Sequence, residues 1–401
     1  MQQKEYVCKI DTAVRGGGAP SPLKQRDSNI ELFRIITMLL IVAHHYVVNS
    51  GLTAADGPIY ADPLSWRSLF LLIFGAWGKT GINCFIMITG YYMCRSQITT
   101  RKFLKLLCEV MFYRIVINLV FCVSGYQAYS VLDWLMLLVP IKKISNGFTS
   151  AFLMFFLFIP FLNILLKNLT ERQHVYLLIL CGFVYVFLGT IPVVFSVTMN
   201  YVSWFCVVFF IAAYVRRYPK NSFQNGKLWG SLTILFLAIG VLSIAICAWL
   251  STKLGKRVGY AFVEDANTFL AVAIGASAFL YFKNLKIPYN QFINIVAAST
   301  FGVLLIHANS DTMRQWLWKD MLDCVGHYGS TLMPLFAVGS VLLIFVVCVV
   351  IDQLRIRMVE KPFLKLWDKH WERIYRKYKA FENRIALKTE LSGIIEPDKR
   401  I

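Results

Sequence analysis

The chain has 401 residues, of which 57% are hydrophobic and only 16% are charged, and its mean hydropathy is +0.58. Soluble proteins carry charge on about a quarter of their residues, so this composition excludes a soluble domain and predicts an all-α polytopic membrane protein. The net charge of +19 does not indicate nucleic-acid binding, because the excess Lys and Arg residues lie in the C-terminal tail and in alternate short loops.

The chain begins with a polar stretch, residues 1–29, which we interpret as a flexible cytoplasmic arm. Its glycine run follows no strand and opens no helix, so it does not predict a phosphate-binding loop, and no cleavable signal peptide is visible. The transmembrane domain is predicted to occupy residues 30–363, and a basic amphipathic cytoplasmic tail residues 364–401.

About ten segments are apolar enough to be transmembrane helices, each of which needs roughly 20 apolar residues. They are 30–50, 79–94, 103–125, 149–166, 175–194, 201–216, 229–250, 267–282, 292–309 and 332–354. Apolar residues 69–74 leave open whether the second span begins earlier. Residues 131–141 are too few to span a bilayer and indicate an interfacial or re-entrant segment.

The loop charges predict the orientation of these helices. With the N-terminus placed inside, the inner segments hold 30 of the 41 Lys and Arg residues, the outer segments hold nine, and Arg34 and Arg114 lie within spans. This asymmetry predicts that both termini are cytoplasmic. The tail repeats apolar residues at helical spacing among its Lys and Arg residues, which favours an amphipathic membrane anchor; recruitment of a partner, as in a sensor, is the alternative.

The first span carries ionisable side chains, which are costly inside a bilayer and usually mark a site. Arg34 and His45 are 11 residues apart, which at roughly 100° per residue returns to almost the same helix face about 16 Å further along the axis. His44 falls about 80° away from that face. Glu31 lies within reach of an ion pair with Arg34. The pattern indicates an anionic ligand near Arg34 and proton transfer at His45; lipid snorkelling by Arg34 and simple packing of His45 are the alternatives.

Further polar residues form a second tier of candidates. His307 ends the ninth span and Asp311 follows it, so both are predicted on the acceptor side, with a capping histidine as the alternative. Asn83 is a candidate hydrogen-bond donor to a bound carbonyl, or a contact between helices. The remaining candidates are cations that suit phosphate groups or merely follow the positive-inside rule: Arg101, Lys102 and Arg114. The ten cysteines show no metal-ligand spacing, so no metal site is predicted.

Several motifs, taken in order, resemble the acyltransferase-3 family of membrane O-acyltransferases, which acylate cell-surface and secreted glycans. The first span resembles the family's acidic residue, Arg and His, with ten residues between the last two, and the segment containing Asn83 resembles its second span, where an acidic residue is commoner. Later matches are SAFLMFFLFIPFLN (150–163), WFCVVFFIAAYVRR (204–217), STFGVLLIH (299–307) and VEKPF (359–363).

The resemblance implies a ten-helix membrane domain that uses cytoplasmic acyl-CoA, most often acetyl-CoA, as co-substrate, with no permanently bound cofactor. Carried over to this sequence, Arg34 binds near the donor and His45 acts as the base. The expected acceptor is a hydroxyl of a cell-surface or lipid-linked glycan, and the expected location is the bacterial inner membrane, in contact with its lipids. The rival interpretation is a glycolipid or solute transporter, which predicts inverted repeats and paired broken helices. The acceptor, the acyl group and the oligomeric state cannot be read from the sequence.

Overall fold

In a computed structural model of the protein, residues 26–141, 147–191, 200–255, 258–371 and 373–374 are described, and all their regular secondary structure is helical. The helices are α1 (Ser28–Val48), α2 (Pro58–Ala61), α3 (Trp66–Gly75), α4 (Gly78–Met93), α5 (Thr100–Val123), α6 (Val131–Leu137), α7 (Phe148–Asn168), α8 (Glu171–Thr190), α9 (Tyr201–Arg217), α10 (Gly226–Leu254), α11 (Phe269–Asn284), α12 (Gln291–His307), α13 (Asp311–Gln315) and α14 (Met333–Arg355). A π-helical turn interrupts α8 at Gly182–Phe187, α13 leads into a π-helical turn at Trp316–Met321, and α14 leads into a third at Ile356–Glu360.

Each of the ten predicted spans is largely helical where the structure describes it, and residues 192–194 of the fifth span lie outside the described residues. Seven helices are long and apolar enough to cross a membrane, or eight if the bent pair Gln291–His307 and Asp311–Gly329 is one span. The two predicted spans outside this set are the shorter helices α9 and α11, of 17 and 16 residues. The second span begins earlier than predicted, because α3 and α4 together form one apolar stretch, Trp66–Met93.

Contacts between helix ends define two opposite ends of the bundle. At the end nearer Arg34, Tyr92 donates to Asp27 at 2.8 Å, and Asn29 donates to the carbonyl oxygen of Phe282 at 3.0 Å. At the end nearer His45, Lys79 donates to Tyr201 at 2.8 Å. We call these the Arg34 end and the His45 end.

Helix α1 occupies the centre of the bundle, where it packs against α3, α4, α11, α12 and α14. Its large apolar side chains, such as Phe33, Met38 and Tyr46, are buried. Close approach of α4 requires glycine at position 78, because a Cβ there would lie 2.2 Å from Cγ of His44. The peripheral helices α5, α7, α10 and α14 instead expose many Leu, Val, Ile and Phe side chains, as expected of surfaces that face lipid.

The structure also shows the short segment predicted at 131–141 and the first part of the C-terminal tail. Helix α6 begins with a capping box between Ser130 and Asp133, has no buried residue, and matches the predicted short segment. The tail continues from α14 without a break, since residues through Trp371 are helical. Apolar side chains Leu366 and Trp371 are exposed there. Most of the predicted arm and the tail beyond 374 lie outside the described residues.

Candidate active site

The candidate site lies along α1, where Arg34 and His45 are the two ionisable residues that the sequence singled out. Both are partly exposed, whereas most neighbouring side chains on this helix are buried. Because α1 is a continuous 21-residue helix, the spacing of 11 residues places their Cα atoms about 16 Å apart along its axis. Helix α1 therefore carries Arg34 near one end of the bundle and His45 toward the other end.

The structure brings His45 together with His307, which lies 262 residues later in the chain. Nδ1 of His45 is 2.9 Å from Nε2 of His307. Nδ1 of His307 is 2.6 Å from the carbonyl oxygen of Val303, one turn earlier in α12. The two imidazoles and this carbonyl group thus form a short chain of hydrogen bonds.

These hydrogen bonds determine the tautomers of neutral His45 and His307. A carbonyl oxygen only accepts hydrogen bonds, so Nδ1 of His307 carries its proton and Nε2 of His307 is an acceptor. Nδ1 of His45 must then be the donor between the rings. The remaining nitrogen, Nε2 of His45, keeps its lone pair, which is the arrangement that a general base requires.

The structure places His307 at the His45 end, and it shows how the imidazole is buried there. Its side chain is fully buried, whereas His45 is partly exposed. His307 ends α12, where the chain turns by 93° toward the next helical segment, and the indole of Trp318 packs edge-on against its ring at 6.3 Å. In the structure, the imidazole of His307 contacts that of His45 rather than the exterior.

His44 adopts a different environment from His45. Its Nδ1 lies 2.6 Å from the carbonyl oxygen of Gly75, so it donates to the backbone at the junction of α3 and α4. Its ring is also enclosed by the close approach of Gly78. His44 thus fixes a helix contact, while His45 alone is joined to a second ionisable side chain.

Glu31 is a candidate catalytic residue from the sequence, and the structure places it beside Arg34, in the ion pair that its spacing predicted, rather than beside His45. A carboxylate oxygen of Glu31 lies 3.7 Å from Arg34 and 3.9 Å from Arg26. Glu31 is 4% exposed, and its Cα lies 14 residues, or about 21 Å, from that of His45. It positions the guanidinium group of Arg34, whose Nε is buried and has no hydrogen-bond partner in the described part of the chain.

Lys79, which the sequence did not single out, lies close to the two adjacent histidines. It is within electrostatic reach of both His44 and His45, and it donates to the hydroxyl group of Tyr201 at 2.8 Å. The count of loop charges includes Lys79 among the outer segments. Its position at the first residue of a predicted span is the one sequence signal that sets it apart from the other outer Lys and Arg residues. Lys79 places a positive charge within electrostatic range of the candidate base.

Asn83 does not reach His45 in the structure, because both ends of its amide serve contacts between helices. Its Nδ2 donates to the carbonyl oxygen of Ala266 at 2.6 Å, and its Oδ1 accepts from the indole of Trp204 at 2.9 Å. It is 2% exposed. In the structure Asn83 makes the contact between helices that the sequence left as the alternative, and its role as a donor to a bound carbonyl stays a prediction.

The three predicted donor-binding cations do not converge on Arg34. Arg101 pairs with Asp368 at 2.7 Å, and Lys102 donates to Ser96 and to the backbone of Gln97. Arg114 lies more than three turns further along α5, where it donates to the backbone of α6 at 3.1 Å. Their head groups are engaged within the protein, and their assignment to the donor site stays a prediction.

Asp311 lies on the surface near His307 in sequence, and its carboxylate pairs with Arg314 at 2.7 Å. Its side chain is 76% exposed at the His45 end. Among the described residues, no group of three or more His, Cys, Asp or Glu side chains is arranged to bind a metal ion.

Comparison with known proteins places this arrangement in a family. No curated protein and no solved structure matches the chain. The family model of the acyltransferase-3 family, described as an acyltransferase domain, matches residues 27–353, which is about four-fifths of the chain and contains Arg34, His45 and His307. The chain therefore belongs to the acyltransferase-3 family and is a membrane acyltransferase.

Proposed function

We propose that this protein transfers an acyl group, most often acetyl, from cytoplasmic acyl-CoA to a hydroxyl group of a cell-surface or lipid-linked glycan. The observation that carries the proposal is the state of His45. Its Nδ1 is fixed by His307 at 2.9 Å, and its Nε2 is left free to accept a proton. Membership of an acyltransferase family supplies the reaction class.

In the proposed mechanism, Nε2 of His45 takes the proton of the acceptor hydroxyl as its oxygen attacks the thioester carbonyl carbon. The carbon–sulfur bond then breaks, and the departing thiolate of CoA takes the proton back from His45. An ester and free CoA are formed, so His45 ends in its starting state. The positive charge of Lys79, which is within electrostatic range of His45, supports the oxyanion that develops in between.

The donor is proposed to enter at the Arg34 end, which we assign to the cytoplasmic side on the loop charges. Arg34 retains an unpartnered buried Nε, which suits it to a phosphate oxygen. The pantetheine arm then follows α1 toward His45. The acceptor approaches from the His45 end, where Asp311 is exposed. On this proposal the enzyme resides in a bacterial inner membrane, and its partners are acyl-CoA, a saccharide acceptor and lipid.

The transporter alternative requires a pair of broken helices in corresponding halves of the chain. Within the described ranges, one helix pair is sharply bent, at 93°. The break places His307 behind His45, where it completes a hydrogen-bond chain. The observation thus favours an acid–base site over a transport path.

The test is acyl transfer to the native glycan in membranes that carry the variant His45→Ala at wild-type protein level. Loss of a positioned base is expected to lower the rate by about 10²- to 10⁴-fold. His44→Ala, which removes the adjacent imidazole from the same helix, is the matched control and should retain most activity. Near-normal transfer by His45→Ala would refute the assignment of the base.

Arg34→Gln tests the donor end separately. We expect a higher acyl-CoA concentration for half-maximal rate, because one cationic contact to the donor is lost, while the saturated rate changes less. Glu31→Gln should shift the same parameter, since Glu31 orients Arg34. An unchanged dependence on acyl-CoA in both variants would remove Arg34 from the donor site.

A further inference from the structure

Two further cations lie at the Arg34 end, and the proposed mechanism does not use them. Arg216 lies in the last turn of α9, and its guanidinium carbon lies 4.5 Å from the ring centre of Tyr91. Its Nη1 donates to the hydroxyl group of Tyr91 at 2.7 Å, whereas its Nε is buried and has no acceptor in the described structure. Lys283, at the end of α11, is within electrostatic reach of Arg216.

A chain of aromatic rings connects Arg216 to the neighbourhood of Arg34. The ring of Tyr91 lies 5.3 Å from that of Phe279, which lies 6.5 Å from that of Phe33, the residue before Arg34. The backbone of Lys283 is fixed to the start of α1, because its carbonyl oxygen accepts from Asn29 at 3.1 Å. We call Arg34, Arg216 and Lys283 the basic cluster.

Among the described residues, Arg216 and Lys283 lack carboxylate partners, unlike several other cations near the bundle surface. Acids lie within about 3 Å of four such cations, as in Arg101 with Asp368, Lys105 with Glu360, Lys220 with Glu171 and Arg314 with Asp311. In the part of the chain that the structure describes, no carboxylate oxygen lies within 4 Å of Arg216 or Lys283, whereas Arg34 has Glu31 at 3.7 Å. Arg216 and Lys283 therefore carry positive charge that no described carboxylate pairs with.

The geometry points to an anionic ligand for these cations. We propose that the basic cluster is a phosphate-binding subsite, in which Tyr91 holds the guanidinium plane of Arg216 and Lys283 contributes a second charge. A planar guanidinium with free N–H groups matches the oxygens of a phosphate group. The phosphate comes either from the nucleotide end of the acyl donor, which rests on the proposed function, or from a phospholipid headgroup.

The experiment uses the full-length protein in nanodiscs of phosphatidylcholine, with the variants Arg216→Gln and Lys283→Gln. The matched control is Lys220→Gln, which removes a charge that is paired with Glu171 at the same end. Binding of CoA, 3′-dephospho-CoA and pantetheine is measured for each protein. A second arm measures how far phosphatidylglycerol in the nanodisc raises the unfolding temperature.

If the donor supplies the phosphate, Arg216→Gln weakens CoA binding by about tenfold, the loss expected for one charged contact, and leaves pantetheine binding unchanged. If a lipid supplies it, CoA binding is unchanged, and the two variants lose the stabilisation by phosphatidylglycerol that wild type and Lys220→Gln show. The proposal is overturned if Arg216→Gln and Lys283→Gln match wild type in both arms.

These outcomes are independent of the test of His45. Unchanged phosphate binding in the Arg216 and Lys283 variants, with transfer still dependent on His45, rejects the subsite and leaves the proposed function standing. Altered phosphate binding together with full transfer by His45→Ala rejects the base assignment and leaves the subsite standing.

Discussion

At the scale of single residues, the histidine pair decides what α1 can do chemically. An imidazole inside an apolar bundle has two possible neutral tautomers, and its neighbours choose between them. Here the carbonyl group of Val303 fixes His307, and His307 fixes His45. The arrangement has the logic of a base oriented by a third group, with a buried neutral histidine in the place of a carboxylate.

His307 is predicted to be a positioning residue, and the variants His307→Gln and His307→Ala separate this role from packing. The amide oxygen of Gln can accept the proton on Nδ1 of His45, whereas Ala leaves that donor buried and unpaired. We expect His307→Ala to lower the saturated transfer rate by about 10- to 100-fold without changing the half-saturating acyl-CoA concentration. His307→Gln should recover much of this loss.

The measurement is a comparison of the saturated rate and the half-saturating donor concentration at several pH values. A rate–pH profile that shifts in His307→Ala and returns toward wild type in His307→Gln supports positioning through His45. Equal losses in both variants, with wild-type profiles, would instead show that His307 only fills space.

At the scale of helices, a ladder of polar contacts joins α5 to the end of α14 and the helix that follows it. Its rungs occur every fourth residue of α5, on one face of the helix. They are Arg101 with Asp368 at 2.7 Å, Lys105 with Glu360 at 2.7 Å, Glu109 with Arg355 at 3.1 Å and Tyr113 with Asp352 at 2.7 Å. The ladder runs from an exposed end at Arg101 to a buried end at Asp352. Its contacts are therefore expected to contribute unequally to the free energy of unfolding.

Arg355 is the centre of this ladder, since it contacts the three carboxylates of Glu109, Asp352 and Glu360. The variant Arg355→Met is expected to destabilise the protein by about 3–5 kcal/mol, because it leaves buried charges uncompensated. Arg101→Met, at the exposed rung, should change stability little. Thermal unfolding in nanodiscs measures both, and similar small changes would contradict the ranking by burial.

The junction of α1 and α4 depends on glycine, because a Cβ at position 78 would lie 2.2 Å from Cγ of His44. Gly78→Ala is expected to destabilise the protein by about 1–3 kcal/mol through overpacking, and to lower the transfer rate by displacing the helix turn next to His45. Gly339→Ala is the control, since no heavy atom lies within 4 Å of a Cβ at that position. If Gly78→Ala has the unfolding temperature and activity of wild type, α1 and α4 can move apart to accommodate the added methyl group without loss of stability.

At the scale of the whole molecule, the bundle separates two polar ends that α1 connects. The Arg34 end holds the basic cluster, and the His45 end holds the histidine pair and Lys79. Between them, the apolar helix surfaces of α5, α7, α10 and α14 face outward. A donor and an acceptor that cannot cross the bilayer can therefore reach one helix from opposite sides.

The sidedness predicts the labelling of single cysteines by a membrane-impermeant maleimide. Ser222→Cys lies in the loop that contacts α11 at the Arg34 end, and Gly329→Cys lies at the His45 end; both positions are exposed. In intact cells, Gly329→Cys should react and Ser222→Cys should not, and inverted membranes should give the reverse. The unsubstituted protein measures the background from its own cysteines, and the opposite pattern would reverse the proposed route of the donor.

The sequence by itself determined the all-helical membrane class and the approximate positions of the apolar helices, because apolar length acts locally along the chain. It also marked Arg34 and His45, since an ionisable side chain is costly within an apolar span and is seldom kept there without a role. Only the tertiary structure decided which polar groups meet. It joined His307 to His45 across 262 residues, and it showed the head groups of Asn83, Arg101 and Arg114 engaged elsewhere. The partners of a hydrogen bond or ion pair depend on how helices that are distant in the sequence pack together. Helical periodicity describes each helix alone and therefore does not predict those partners.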